Sequence, residues 1–534
     1  MNKNVYPDNS SPEDFECFGP RALRDGEFEG TMIADMGCFT QDGKDSNKAY
    51  MGSVVQHKTS KRWYAYFEWG RTGASKPNFQ FVECSSKEHA QSEYCKQLHS
   101  KNDKRGETVV IAGIKTLRAK AGKDCYLVRP QTTGSTGLPD ARRIRTSDGT
   151  SSKTVPVVAA KASSKIAKAK PSVRIDPKTV DLLRDLNVGT VNYTKTSMSN
   201  SSIPTQTAID EARQLLSEAQ KRLAVVGGDI NDQVHDQDLR QFTSVLYSRI
   251  PKVKKVGEPE EKWMLTKDNI LGWQSDLDAF ESAIYANVAA VGDADPYGGL
   301  PLEMAWIDPR SSIGSWLYRW APSATRNKHS NVGTMRILNA WVVSRHGDER
   351  VLAATQEEIS KENNGRWTRE RPLFQDDARP GIPSESKERY AKSNTHLLFH
   401  GTRSINVVGL LRKSFCLPQH LVGVSITGAL YGNSIYHADD WKKSAGYTSL
   451  TSSYWASGSG IVKGRKAFLF LADAVLGNPY LASDAVSSAP KSYHSVFGKA
   501  GYSRIGSYGI LKNNEWMVYK TKQSILKYLI EFDA

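Results

Sequence analysis

The chain has 534 residues, of which 39% are hydrophobic and 24% charged. At about 100–200 residues per domain this allows three or four ordinary soluble cores. It has no run of 18 apolar residues, which excludes a membrane-spanning helix, and the stretch Met1–Gly19 lacks the basic-flanked apolar core of a secretory signal. The net charge of +15 calls for a polyanionic partner without saying which.

Residues 1–46 are polar and Gly-rich, and residues 1–45 hold four Lys/Arg against ten Asp/Glu, so an acidic flexible tail is expected there. Residues 47–128 change texture. Tyr50–Gln56, Trp63–Glu68 and Phe79–Cys84 carry aromatic or alternating strand signals and Lys87–Leu98 reads as a helix, together a small α+β module. Residues 129–174 lack hydrophobic periodicity and are rich in Ser, Thr, Gly, Ala and Lys, the composition of a flexible linker. Ten Lys/Arg against three Asp in 140–178 make that stretch strongly basic, serving either solubility alone or nucleic-acid contact.

Residues 175–300 turn helical. Thr205–Leu223 places Ala208, Ala212, Leu215, Leu216, Ala219 and Leu223 on one face, and Asp238–Arg249 and Asn269–Val288 repeat the pattern. Residues 301–534 bring strand signals at MRILNAWVVS, HLLFHG, GNSIYHAD, RKAFLFLADAVLGNP and NEWMVYK, with a few short helices such as Asp440–Tyr447. The fold class is therefore multidomain α+β: a small α+β module, an all-α bundle and a mixed, mainly-β C-terminal domain. The six cysteines (Cys17, Cys38, Cys84, Cys95, Cys125, Cys416) include no CxxC pair, so no metal site is expected and reduced thiols in an intracellular compartment are. GSGIVKG at 458–464 has the wrong spacing for a dinucleotide-binding turn, which argues against hydride transfer.

Trp69-Gly70-Arg71 follows an aromatic strand and, taken alone, reads as a hairpin turn with a buried Trp. In context it resembles the WGR domain, a module that binds DNA ends in DNA-damage-responsive poly(ADP-ribose) polymerases. The chemistry fits: Trp69 can stack on a terminal base or sugar, Gly70 admits close backbone approach, and Arg71 can bond phosphate. Lys61 and Arg62, with His57 and Lys58, add positive charge nearby. The helices of 176–290, with LYSRIPKV and KDNILGW, resemble the helical regulatory subdomain of that family. Its ADP-ribosyltransferase domain is resembled by four ordered blocks: LLFHGTRSINVVGLL, YGNSIYHADDWKKSAGYTS, AVLGNPY and NNEWMVYKTKQSILKYLI.

The resemblance implies cleavage of the nicotinamide–ribose bond of NAD+, with an oxocarbenium-like transition state. It makes His400, Tyr436 and Glu515 the catalytic triad. His400 would bond a ribose hydroxyl, and Glu515 would stabilise the cation and orient the acceptor. NAD+ would further be held by Gly401, Thr402, Lys443, Ser444 and Tyr447: Gly401 through its backbone, Ser444 through a hydroxyl, Tyr447 by stacking on nicotinamide. Singly, His400 also reads as a core histidine, the tyrosines as packing, and Glu515 as a strand end. Three positions depart from the family pattern: Cys416 in place of an Arg, Ala429 in place of a Tyr, and Ser434 in place of a Gly.

These features predict a DNA-damage-activated poly(ADP-ribose) polymerase without zinc fingers, acting on proteins and on itself. NAD+ would be a consumed substrate, with no resident cofactor. DNA ends or nicks would be its partners, and no membrane. Location would be nuclear in a eukaryotic host and the DNA-associated cytoplasm otherwise. A mono-ADP-ribosyltransferase of the same fold and an inactive DNA-binding scaffold are the alternatives.

Overall fold

A computed structural model describes residues 4–10, 14–18, 32–36, 48–71, 78–101, 108–117, 126–130, 175–198, 203–204, 206–250, 252–253, 258–286, 297, 300–326, 333–362, 370–376, 378–417, 431–448, 466–504 and 509–534. These fall into two compact units, one within 1–169 and 192–280, the other within 170–191 and 281–534. From residue 131 on, the basic linker lies outside the described residues, as do Ala429 and the 458–464 segment.

In the first unit, β1 (Phe15–Phe18), β2 (Met32–Met36), β3 (Lys48–His57), β4 (Trp63–Arg71) and β5 (Asn78–Cys84) precede helix α1 (Lys87–Lys101). Then come β6 (Thr108–Ile111), β7 (Ile114–Leu117) and β8 (Tyr126–Pro130). The main sheet runs β5-β4-β3-β2-β8, with β1 also on β3. The expected flexible tail of 1–46 thus needs correcting, because two of its segments are strands of this sheet. One edge of the ten-residue β3 pairs with β4, and its other edge would be open without them; β2 takes Lys48–Gly52 and β1 takes Val54–His57. Phe15 is fully buried against Val55, Tyr64, Tyr66 and Phe81, an anchor masked in sequence by its acidic neighbours. On the opposite face Phe67 stacks on Tyr94 of α1. That helix approaches closely because a Cβ on Gly52 would lie 2.6 Å from the Tyr94 ring.

The helical segment comprises α2 (Pro177–Ser197), α3 (Gln206–Val226), α4 (Ile230–His235), α5 (Gln237–Arg249) and α6 (Ile270–Tyr285). Helix α3 buries Ile209, Ala212, Leu215, Leu216, Ala219, Gln220 and Leu223 and stops at Gly227, whose φ is +97°. Asp229 and Asp236 cap α4 and α5 through their side chains, and Asp236 also pairs with Arg222 at 2.7 Å.

In the second unit β9 (Leu302–Trp306), α7 (Ser312–Ser323), β10 (Arg336–Arg345), α8 (Asp348–Lys361), α9 (Ser384–Lys392), β11 (Thr395–Gly401) and α10 (Val407–Lys413) follow one another. They lead to β12 (Ile435–His437), α11 (Trp441–Ala445), β13 (Ala467–Val475), β14 (Pro479–Ala482), β15 (Ser495–Gly498), β16 (Glu515–Val518) and β17 (Ser524–Asp533). Two sheets result, β11-β13-β17-β10-β9 and β12-β16-β15-β14. Helices α7 and α8 exceed the few short helices expected. Helix α7 has poor intrinsic helix formers, but Trp316 and Leu317 join the sheet core and Trp320 stacks on Phe399 at 5.4 Å, so packing overrides propensity. Among the described residues no helix is long and apolar enough to cross a membrane.

Strand β13 is buried along its whole length yet carries Asp473. Its carboxylate pairs with buried Arg379 at 2.6 Å and accepts the Tyr390 hydroxyl at 2.8 Å. Removing one member leaves an uncompensated buried charge. Arg379→Met is therefore expected to destabilise the domain by about 3–5 kcal/mol, while adding Asp473→Leu restores much of that loss. Thermal denaturation of both variants checks this, and an equal or larger loss in the double variant would contradict it.

Candidate active site

The site is built where the two sheets of the second unit meet. Phe399 and Ala438 exchange backbone hydrogen bonds of 2.8 and 2.9 Å in an isolated bridge, tying the end of β11 to the segment after β12. One residue on, His400 Nδ1 lies 2.9 Å from the Tyr436 carbonyl. A carbonyl only accepts, so Nδ1 carries the proton and Nε2 of the neutral ring is left as an acceptor. Burial keeps the ring neutral by pushing its pKa down, with the Tyr436 carbonyl opposing. Gly401 follows, and any Cβ there would overlap the Ser444 carbonyl oxygen, so only glycine brings this strand end onto α11. Thr402 is buried beside it.

Tyr436 faces Met517 across the β12–β16 pair. Its phenolic oxygen accepts the Tyr431 N–H at 3.0 Å, and burial together with the charge of Glu515 raises its pKa. Asp440 caps α11 by accepting the Lys442 N–H and is itself held by Thr325 Oγ1 at 2.8 Å. The helix carries Lys443 and Ser444, and Tyr447 follows, 39% exposed.

Glu515 opens β16 and is almost fully buried. Lys443 Nζ sits 2.5 Å from its carboxylate and donates to the Tyr447 hydroxyl at 3.1 Å. Burial works against the charge on Lys443, yet Tyr447 and Glu515 more than offset it and hold its pKa above the ordinary value. A buried carboxylate, a neutral imidazole acceptor and an exposed tyrosine thus lie on segments that the Phe399–Ala438 bridge and the β12–β16 pair bring together. Such a site can steady a cation developing on a sugar ring bound there.

The sequence reasoning missed three neighbours. Phe415 packs edge-on against His400 at 4.9 Å and against His437 at 5.3 Å. His437 is fully buried, held neutral by burial and by His400, with Nε2 3.0 Å from the Ser524 hydroxyl. Asp439 binds the strand that carries Glu515. A carboxylate and an imidazole inside the apolar run IYHAD were the available signal. Of the departures, Ser434 is buried and bonds the Tyr431 carbonyl, and Cys416 is exposed. The guanidinium of Arg412 lies over the Tyr285 ring at 4.9 Å.

The nucleic-acid residues are placed differently from the sequence reading. Trp69, Gly70 and Arg71 are not a turn but the last residues of β4, facing Tyr50, Ala49 and Lys48 of β3, because β3 extends far enough to pair them. Trp69 is half-buried, and of Gly70 and Arg71 the backbone alone is described. Lys61 is exposed with φ +55°. Arg62 already pairs with Asp8 and Glu83, each at 3.6 Å, and His57 Nδ1 accepts the Thr59 and Ser60 N–H groups.

Two segments of the chain match known families. Residues 323–534 match the poly(ADP-ribose) polymerase catalytic domain and residues 36–106 the WGR domain, the latter taking in the last eleven residues of the expected tail. Protein mono-ADP-ribosyltransferase PARP4 of Mus musculus is 29% identical over 161 residues, 29% of this chain and 8% of the relative. Poly [ADP-ribose] polymerase 1 of Xenopus laevis is 29% identical over 164 residues, 26% of this chain and 15% of the relative. The same enzyme of Gallus gallus is 29% identical over 163 residues, 26% of this chain and 15% of the relative. The chain thus spans well under a fifth of each of these relatives' length. The chain thus carries a segment similar to a WGR domain, followed by one similar to the poly(ADP-ribose) polymerase catalytic domain.

Proposed function

We propose that the protein is a DNA-activated poly(ADP-ribose) polymerase that transfers ADP-ribose from NAD+ to protein acceptors, itself included, and releases nicotinamide. The observation that carries this reading is the buried Glu515 carboxylate held 2.5 Å from Lys443 Nζ beside Tyr436 and Tyr447. Nicotinamide would stack on Tyr447 with its carboxamide on the Gly401 backbone and the Ser444 hydroxyl, and Thr402 would border the adenosine side. His400 Nε2 would accept a ribose hydroxyl. The C1′–N bond breaks with its electron pair leaving on nicotinamide, and the cation on C1′ is steadied by Glu515. The acceptor hydroxyl, oriented by Glu515, then bonds C1′ and gives up its proton.

DNA would act through the WGR module, with Trp69 and Arg71 at its reading edge and Lys61 adding positive charge; Arg62 would have to leave Asp8 and Glu83 to join them. The helices supply a means of control. In the second unit, Thr190 Oγ1 donates to the Ile405 carbonyl at 3.2 Å, Glu281 pairs with Lys413 at 2.7 Å, and the Gly409 backbone is close to Ser282. These contacts from α2 and α6 grip the segment that leaves the NAD+-binding turn, which supports a switch in which DNA loosens the helices. DNA as partner implies the nucleus in a eukaryotic host.

A mono-transferring reading has its own support, since relatives of both names match and Cys416 replaces an expected arginine. Incubation with NAD+ and nicked duplex should give a smear of modified protein on a gel; a single sharp step would favour mono-transfer. Glu515→Gln should lower acceptor modification at least about 10²-fold, and unchanged modification would reject its assigned role. A fragment of residues 300–534, which keeps β9 and α7 but lacks α2–α6, should be active without DNA. Strict DNA dependence of that fragment would overturn the switch.

A further inference from the structure

We infer that Asp439 is a positioning residue for the reaction: its carboxylate clamps both flanks of Glu515 and so sets where the Glu515 carboxylate lies. One oxygen, Oδ2, accepts three hydrogen bonds, from Asn514 Nδ2 at 2.9 Å, Trp516 Nε1 at 3.2 Å and the Leu373 N–H at 2.9 Å. Asn514 and Trp516 are the residues immediately before and after Glu515. Successive side chains of a strand point to opposite faces, so Asp439 grips the back of β16 while Glu515 projects forward to Lys443.

The clamp is itself anchored. Trp516 stacks on Phe497 with ring centroids 4.0 Å apart, and Asn514 Oδ1 accepts the Ala500 N–H at 3.0 Å. Ala438, just before Asp439, makes the bridge to Phe399, and Asp440, just after it, caps the helix carrying Lys443. One buried carboxylate therefore joins the chain segments that hold His400, Lys443 and Glu515. Its cost supports a purpose. Asp439 is 1% exposed, its Oδ1 makes no hydrogen bond among the described residues, and burial raises its pKa against the three donors. An apolar residue would be cheaper there if filling space were all that was required.

The inference rests on the proposed role of Glu515, and the test separates the two. Nicotinamide release from NAD+ is measured with the full-length chain for Asp439→Ala, Asp439→Asn and Glu515→Gln, and for each Asp439 variant combined with Glu515→Gln, folding being followed by circular dichroism. Asp439→Ala should lower kcat about 10²-fold through a misplaced carboxylate, with KM for NAD+ changed less than about 3-fold. Asp439→Asn keeps one oxygen acceptor for the three donors and should stay within about 10-fold of the native kcat. In the Glu515→Gln background the Asp439→Ala loss should shrink to within about 2-fold, because a residue acting only through Glu515 has nothing left to position. If Asp439→Ala does not fold, Asn514→Ala, which removes one of the three donors, is judged on the same two criteria with a loss of about 10-fold. A native kcat in the folded variant, or an equal loss with and without Glu515, would overturn the inference alone. Full activity of Glu515→Gln would overturn the proposed role of Glu515 and the inference together.

Discussion

Two hydrogen bonds between Phe399 and Ala438 hold the candidate site together. They are one point at which the five-stranded and four-stranded sheets of the second unit are pinned to each other, and the residues of the site lie within a few positions of them or on the strand paired beside them. His400 and Gly401 follow Phe399, while Tyr436 and the Lys443 helix flank Ala438. Glu515 arrives because β16 pairs with β12. The close approach this requires explains Gly401, whose missing side chain leaves room for the Ser444 carbonyl. Backbone pairing thus puts the chemistry in place before side chains refine it.

The refinement is electrostatic. Glu515, Asp439 and Asp473 are buried carboxylates, and each is compensated in its own way: by the Lys443 ammonium, by three neutral donors, and by the Arg379 guanidinium. The first is joined through Lys443 to the exposed Tyr447. The other two are turned into the structure, where they fix strands. The imidazoles of His400 and His437 are kept neutral by burial, so the cation beside Glu515 comes from Lys443 alone in that group.

Much of this was readable in the residue pattern. The strands of the C-terminal domain show as apolar runs, and Glu515 stands out as an acidic residue at a strand position that disfavours it. Helix α3 showed its 3.6-residue period, although Ile209 rather than Ala208 fills the first buried position. What stayed hidden depends on contacts distant in sequence. Phe15 looks like part of an acidic tail until Tyr64 and Phe81 are beside it. Helix α7 has weak local preference and exists because Trp320 stacks between Trp316 and Phe399. Asp439 reads as one more charge beside Asp440, and its three donors come from segments 66, 75 and 77 residues away.

The most direct test of the account is a structure of the full chain with a non-hydrolysable NAD+ analogue. The account predicts nicotinamide stacked on Tyr447 with its carboxamide on the Gly401 backbone. His400 Nε2 and the Glu515 carboxylate should each lie about 3 Å from a ribose hydroxyl. An analogue bound away from the Phe399–Ala438 bridge, or a Glu515 carboxylate out of reach of the nicotinamide ribose, would contradict it.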